Sequence, residues 1–273
     1  AAVSDHALLC TPGQVHTGRV LDAEVQWLPH LTKGLTRARG LILHLGAGRA
    51  GADVRADGRI APGAQGTARI RLDRALPLPP GARFVLRGAP DNHHGAVVGG
   101  GRILDPAPPR KRAATIRGAL AAASPDDARA ILVAETGTRG LASMSVSRRV
   151  PVPPRPDQGV LFTPAVVQTR RSALTTRIMA HHTTHPLEPG LALASVTTSP
   201  LDHAALAEAF SAGDLVRDAG LVRHRDHAVQ VDPQTQAMAK KLMRAIGRAG
   251  LTAHPEAALF DRFPASDTFI SEV

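Results

Sequence analysis

The sequence predicts a multidomain β + α protein: a small closed β-barrel followed by winged-helix modules. Three observations predict it. Apolar residues recur at every second position between residues 20 and 87 and at helical spacing after residue 113. A proline- and arginine-rich stretch at residues 106–112 separates the two regimes. Of the net charge of +10 on 273 residues, +8 falls in residues 1–112, with 16 basic against 8 acidic side chains.

The strands follow in order. In residues 20–27, Leu21, Ala23, Val25 and Trp27 alternate with polar neighbours, the period of a strand with one buried face. Residues 41–45 are a continuous apolar run. Residues 67–72 set Ala68, Ile70 and Leu72 against Thr67, Arg69 and Arg71, and residues 83–87 set Phe84 and Leu86 against Arg83, Val85 and Arg87. Turn chemistry falls at Asp57-Gly58, Ala61-Pro62-Gly63, Pro79-Pro80-Gly81 and in residues 92–95. Short strands so spaced must cover both sheet faces, which a closed barrel or sandwich does. The outward arginines Arg69, Arg71, Arg83 and Arg87 then stand on its wall.

The second region changes period. After the linker, Ile116 and Leu120, then Ala128, Ile131 and Leu132, fall at helical spacing, the latter set behind the start signal Ser124-Pro125-Asp126. Pro151, Pro153, Pro154 and Pro156 make an extended connector. A helix then runs from Arg170 to His182, a loop passes through His185-Pro186, a short helix sits near Leu191, and another helix runs from Asp202 to Phe210. Residues 214–231 are two short β segments around Ala219-Gly220. Three helices and a hairpin are the winged-helix order, whose third helix and wing are the usual nucleic-acid surfaces.

Composition narrows the chemistry. The single Cys10 excludes a disulfide framework and a cysteine-built zinc site and fits a reducing cytoplasm. No apolar stretch approaches the roughly 20 residues that span a bilayer, and no signal pattern opens the chain, so a cytoplasmic protein without a membrane partner is expected. Aromatics are 3% with no Tyr, which requires an aliphatic core and disfavours single-strand binding by ring stacking. A basic surface facing a polyanion is the leading expectation.

Gly46-Ala47-Gly48-Arg49-Ala50-Gly51 matches the dinucleotide pattern G-x-G-x-x-G, but that motif needs a helix opening at its glycines, and residues 53–63 continue as extended chain and turns. It reads as a turn. Gly99-Gly100-Gly101 is no P-loop, because no Gly-Lys-Ser/Thr occurs; it marks close backbone approach in a barrel strand. His181, His182 and His185 lack the Glu of H-E-x-x-H and precede Pro186, so they read as a helix end with partly exposed imidazoles and not as a metal site. His93-His94 supports no role, and no catalytic centre assembles from the sequence.

Three motifs in order then carry a resemblance. Gly66-Thr67-Ala68-Arg69-Ile70-Arg71-Leu72, Gly81-Ala82-Arg83-Phe84-Val85-Leu86-Arg87 and Val98-Gly99-Gly100-Gly101-Arg102-Ile103-Leu104-Asp105-Pro106 resemble the third domain of the bacterial selenocysteine-specific translation elongation factors (SelB). Residues 182–190, His-Thr-Thr-His-Pro-Leu-Glu-Pro-Gly, are similar to a loop of that family's winged helices. Ala82 stands where the family has Asp, and residues 144–155 depart from the family's first winged unit. The resemblance implies an elongation-factor-like Greek-key barrel and a division into five parts. These are residues 1–15, a remnant of a preceding barrel; 16–106, the barrel; 107–166, linker and a degenerate winged helix; 167–232, a second winged helix; and 233–273, the start of a third.

The resemblance also implies a function. The family is a GTPase whose barrels hold selenocysteinyl-tRNA and whose terminal winged helices read an mRNA hairpin. This chain matches neither its GTPase domain nor its terminal module, so a fragment is expected. Such a fragment is not an enzyme and has no cofactor of its own, GTP and Mg belonging to the absent domain. Arg69, Arg71, Arg83 and Arg87 are the expected contacts to tRNA phosphates, and Arg217, Arg223 and Arg225 on the wing the expected contacts to RNA or ribosome. Two other classes compete. A winged-helix DNA regulator needs cations on residues 202–210, which hold Asp202 and Glu208 and no Lys or Arg. A dinucleotide enzyme needs a helix after Gly51.

Overall fold

The computed structural model describes residues 8, 10, 13–88, 96–153, 159–229 and 233–249, the last helix with only part of its side chains. The calls on the connector beyond residue 153, on residues 89–95 with His93-His94, on residues 1–7 and on the tail beyond 249 lie outside the described residues. The chain forms two compact units, Ala1–Thr163 and Pro164–Val273.

Six antiparallel strands open the first unit: β1 His16–Trp27, β2 Leu35–Leu45, β3 Gly48–Ile60, β4 Gln65–Leu78, β5 Arg83–Arg87 and β6 Val97–Asp105. They close into a barrel in the order β1-β4-β3-β2-β5-β6, with β6 paired back onto β1. Hairpins join β2, β3 and β4 while β1 lies beside β4, a Greek key. The predicted alternation sets which face is buried. Leu21, Ala23, Val25 and Trp27 point inward, as do Ala68, Ile70, Leu72, Phe84 and Leu86, and the core is aliphatic apart from Trp27 and Phe84.

The glycine motifs are structural. Gly46 turns the β2–β3 hairpin with a φ of 56°, and β3, not a helix, follows it. Gly101 lies against β1, where an added Cβ would overlap the Glu24 carbonyl oxygen. Asp57-Gly58 is a correction: it is no turn but lies within β3. Between the pairs Leu35–Ile60 and Arg37–Arg55 the ladder carries extra residues on β3, so the flexible pair is spent on an irregularity in the strand.

The segment after β6 holds α1 Ala114–Ala122, α2 Pro125–Thr136, the short strand β7 Leu141–Ala142, α3 Ser143–Ser147 and β8 Val160–Leu161. Ser124 caps α2 as its sequence predicts, its Oγ accepting the Asp127 N–H at 3.2 Å. Leu120, Leu132, Val133, Val146 and Val150 pack with Leu104 of β6 into a second apolar cluster. This segment therefore belongs to the same unit as the barrel. Residues 106–112 are not a solvated linker either, because the Arg112 side chain is fully buried.

The second unit runs α4 Pro164–Thr184, β9 Leu191–Ala192, α5 Leu193–Val196, α6 Pro200–Ser211, β10 Leu215–Asp218, β11 Leu221–His224 and α7 Pro233–Ala249. Two expectations shift. The first helix begins at Pro164 instead of Arg170, with proline where its missing N–H costs nothing, and Leu191 lies in a strand that pairs with β11 ahead of the short helix. The hairpin turns at Ala219 and Gly220, both at positive φ, the backbone that matches the twist of two short strands. Leu174, Ile178, Val196, Leu206, Leu215 and Val222 supply the core. Among the described residues no helix is long and apolar enough to cross a membrane.

Candidate nucleic-acid interface

Strand register assembles the site. Arg37 of β2 pairs with Arg55 of β3, Arg55 with Arg69 of β4, Arg69 with Asp22 of β1, and Asp22 with Asp105 of β6. One row across the outer wall thus reads Arg, Arg, Arg, Asp, Asp. Directly opposed like charges destabilise a sheet, so three adjacent arginines are costly unless an anion lies over them. Arg71 stands one outward position along β4 from Arg69.

Two adjoining grooves follow this wall. One, about 420 Å³, is lined by Arg37, Asp53, Arg55, Arg69, Arg71 and Arg110. The other, about 510 Å³, is lined by Arg55, Asp57, Arg69, Arg110, Lys111 and Arg117 among others. Arg37, Arg55, Arg71, Arg110 and Lys111 are exposed, and none has a carboxylate within 4.0 Å among the described residues. No aromatic side chain lines either groove.

Beneath the grooves the charges are paired. Arg69 is held by Asp22 through Nε at 2.8 Å and Nη2 at 3.1 Å, and its Nη1 donates to the Arg110 carbonyl at 2.8 Å. Arg112 donates to Asp22 at 2.9 Å and to Glu135 at 2.8 Å, and sits 2.8 Å from Asp105, which Arg149 also binds at 2.6 Å. Burial opposes the charge of Asp105, but Arg149 and Arg112 hold its carboxyl below the usual range, and the three carboxylates around Arg112 raise the guanidinium's pKa against its own burial. Arg117 and the Thr67 hydroxyl likewise keep Asp57 low against desolvation. The network fixes residues 110–112 against the barrel beside the arginine row.

The four arginines expected to bind tRNA do not come together. Arg69 and Arg71 are on β4 and Arg83 and Arg87 on β5, three strands away in either direction around a six-stranded barrel, so they occupy opposite walls. Arg69 is also largely engaged by Asp22. Arg37, Arg55, Arg110 and Lys111 went unpredicted because register, not alternation within a strand, brings them together.

The wing residues also divide. Arg223 turns inward on its own loop, donating to the His227 carbonyl at 2.9 Å, while Arg225 lies 3.6 Å from Asp226 and Arg217 is exposed. Val216 pairs with Arg223 and Arg217 with Val222, which puts Arg217 and Arg223 on opposite faces of the hairpin. On α6, Asp202 is buried. Its burial opposes ionisation, but Arg170 at 2.5 Å and the Thr198 N–H and hydroxyl at 3.0 and 2.9 Å hold it ionised far below the usual range.

Among the described residues no three His, Cys, Asp or Glu side chains are placed to hold a metal ion. His182 is buried and stacks on His227 with ring centroids 3.6 Å apart, accepting the His224 N–H at Nε2, while His181 lies 2.7 Å from Glu188. The partly exposed imidazoles expected at this helix end are thus in part a packed cluster.

No protein-family profile matches this chain, and no curated protein sequence matches it. It is similar to a solved structure, the crystal structure of the bacterial selenocysteine-specific elongation factor EF-Sec, at 14% identity and a TM-score of 0.47, covering 92% of this chain and 41% of that one. This chain spans about two-fifths of that protein's length.

Proposed function

We propose that the barrel binds the phosphate backbone of structured RNA, and that the chain acts as the tRNA-holding part of a translation factor of the selenocysteine-specific type. The observation that carries the reading is the Arg37–Arg55–Arg69 row with Arg71, Arg110 and Lys111 beside it. Guanidinium groups bind phosphate oxygens through paired N–H donors and release condensed counterions. A groove without aromatic side chains has no platform for unstacked bases, which favours a base-paired arm over a single strand. In this reading selenocysteinyl-tRNA is the ligand, the second unit is a winged helix that links it toward ribosome and message, and the chain has no catalysis or cofactor of its own. The motifs at residues 66–72, 81–87 and 98–106 support the finer assignment.

The test is tRNA binding by fluorescence anisotropy across a KCl series. Arg37→Gln with Arg55→Gln should weaken binding roughly tenfold and flatten the logarithmic salt dependence by one to two phosphate contacts, about 0.9 each in slope. Salt-independent affinity, or a double variant indistinguishable from wild type, refutes the backbone mechanism. Selenocysteine tRNA compared with elongator tRNA then tests the finer assignment.

A further inference from the structure

The near-neutral balance of residues 113–273, 17 basic against 15 acidic, conceals a local excess. α7 carries Lys240, Lys241, Arg244 and Arg248 and no acid, so the rest of this region is net negative. At 3.6 residues per turn these four positions fall within an arc of about 100° and an axial length of about 12 Å. All four side chains are exposed, and among the described residues none has a carboxylate within 4.0 Å. Other helix cations of the second unit are spent within the fold: Arg170 on Asp202 and Arg171 on Asp214.

From this we infer that the basic face of α7 is a second contact surface for the phosphate backbone of duplex RNA, separate from the barrel groove. Lys240 with Arg244 and Arg244 with Arg248 are like-charge pairs at i,i+4, which weaken an isolated helix by about 0.2–0.5 kcal/mol each. A face meant only for solvent carries both signs interspersed, and this one carries a single sign. A duplex presents one phosphate charge for every 1.7 Å or so of its axis, so a 12 Å row of four cations meets several at once. An anionic membrane surface is the other polyanion, but an interfacial helix anchors through bulky rings and residues 233–249 contain no Trp or Phe. The inference rests on the RNA reading of the whole chain and extends it to a surface that the barrel does not contain.

The test uses the full chain, a 20-base-pair RNA duplex of arbitrary sequence and, in parallel, phosphatidylserine-containing vesicles. Lys240→Gln, Lys241→Gln, Arg244→Gln and Arg248→Gln are combined, with Gln chosen for its helix propensity and circular dichroism confirming that helix content is kept. The quadruple variant should bind the duplex at least tenfold more weakly at 0.1 M KCl, with a salt slope shallower by about two to four, additively with Arg37→Gln/Arg55→Gln. An unchanged quadruple variant beside a weakened barrel variant overturns this inference and leaves the barrel reading standing. A wild-type chain that ignores RNA overturns both. Vesicle binding lost in the quadruple variant while RNA binding persists overturns it in favour of lipid.

Discussion

Arg69 shows how a residue's position decides its role. Its sequence context, alternating with Ala68 and Ile70, fixes that it faces outward, and it does. Yet Asp22 takes two of its donors and the Arg110 carbonyl a third, so it positions the 110–112 segment instead of presenting a free fork to a ligand. Arg112 is the extreme case, a guanidinium buried among Asp22, Asp105 and Glu135. Removing one partner of a buried charge network strands the others without a counterion, at a cost of about 3–5 kcal/mol. Arg112→Ala is therefore expected to lower the Tm of the first unit by about 10 °C, read by differential scanning calorimetry. A shift under 2 °C would mean the network is solvated in solution.

At the scale of elements, the histidine cluster ties the end of α4 to the strand pair β10–β11. Burial first, then the neighbouring His227, His181, His224 and Arg223, push the His182 pKa down to about 4 from an ordinary 6.5. The sign follows from linkage: between pH 6.5 and 4 the unfolded chain binds a proton that the folded chain refuses, so stability present above pH 6.5 is lost as pH falls toward 4. The second unit should melt progressively lower from pH 7 to pH 5. His182→Gln should flatten that profile, and an unaltered profile in the variant would show that other groups set it. Strands, caps and the hairpin were legible here because each is local: period two, Ser124 or Ser199 before proline, Ala219-Gly220 between two short apolar runs. The Asp57-Gly58 pair was misread because turn chemistry also serves a strand irregularity, and only pairing with β2 tells them apart.

At the scale of the molecule, the +10 resolves into two exposed basic surfaces, a barrel wall and the face of α7. Each belongs to its own unit. Neither offers a nucleotide fold: the glycines of 46–51 make a hairpin, and no Gly-Lys-Ser/Thr cradle exists in the sequence. Titration of the full chain with Mg-GTP in a calorimeter should give no saturable heat, whereas a stoichiometric isotherm would overturn the reading of this chain as a binding module.

The sequence by itself determined the local quantities: which face of each strand is buried, where helices start, that the core is aliphatic, and that the charge is basic and concentrated ahead of residue 113. Tertiary structure alone decided which arginines meet. Arg37, Arg55 and Arg69 are far apart in the chain and adjacent in the sheet, whereas Arg69 and Arg87 are close in the chain and stand on opposite walls. Periodicity reports the side of a strand on which a residue lies. Register and closure, which depend on every other strand, report its neighbours.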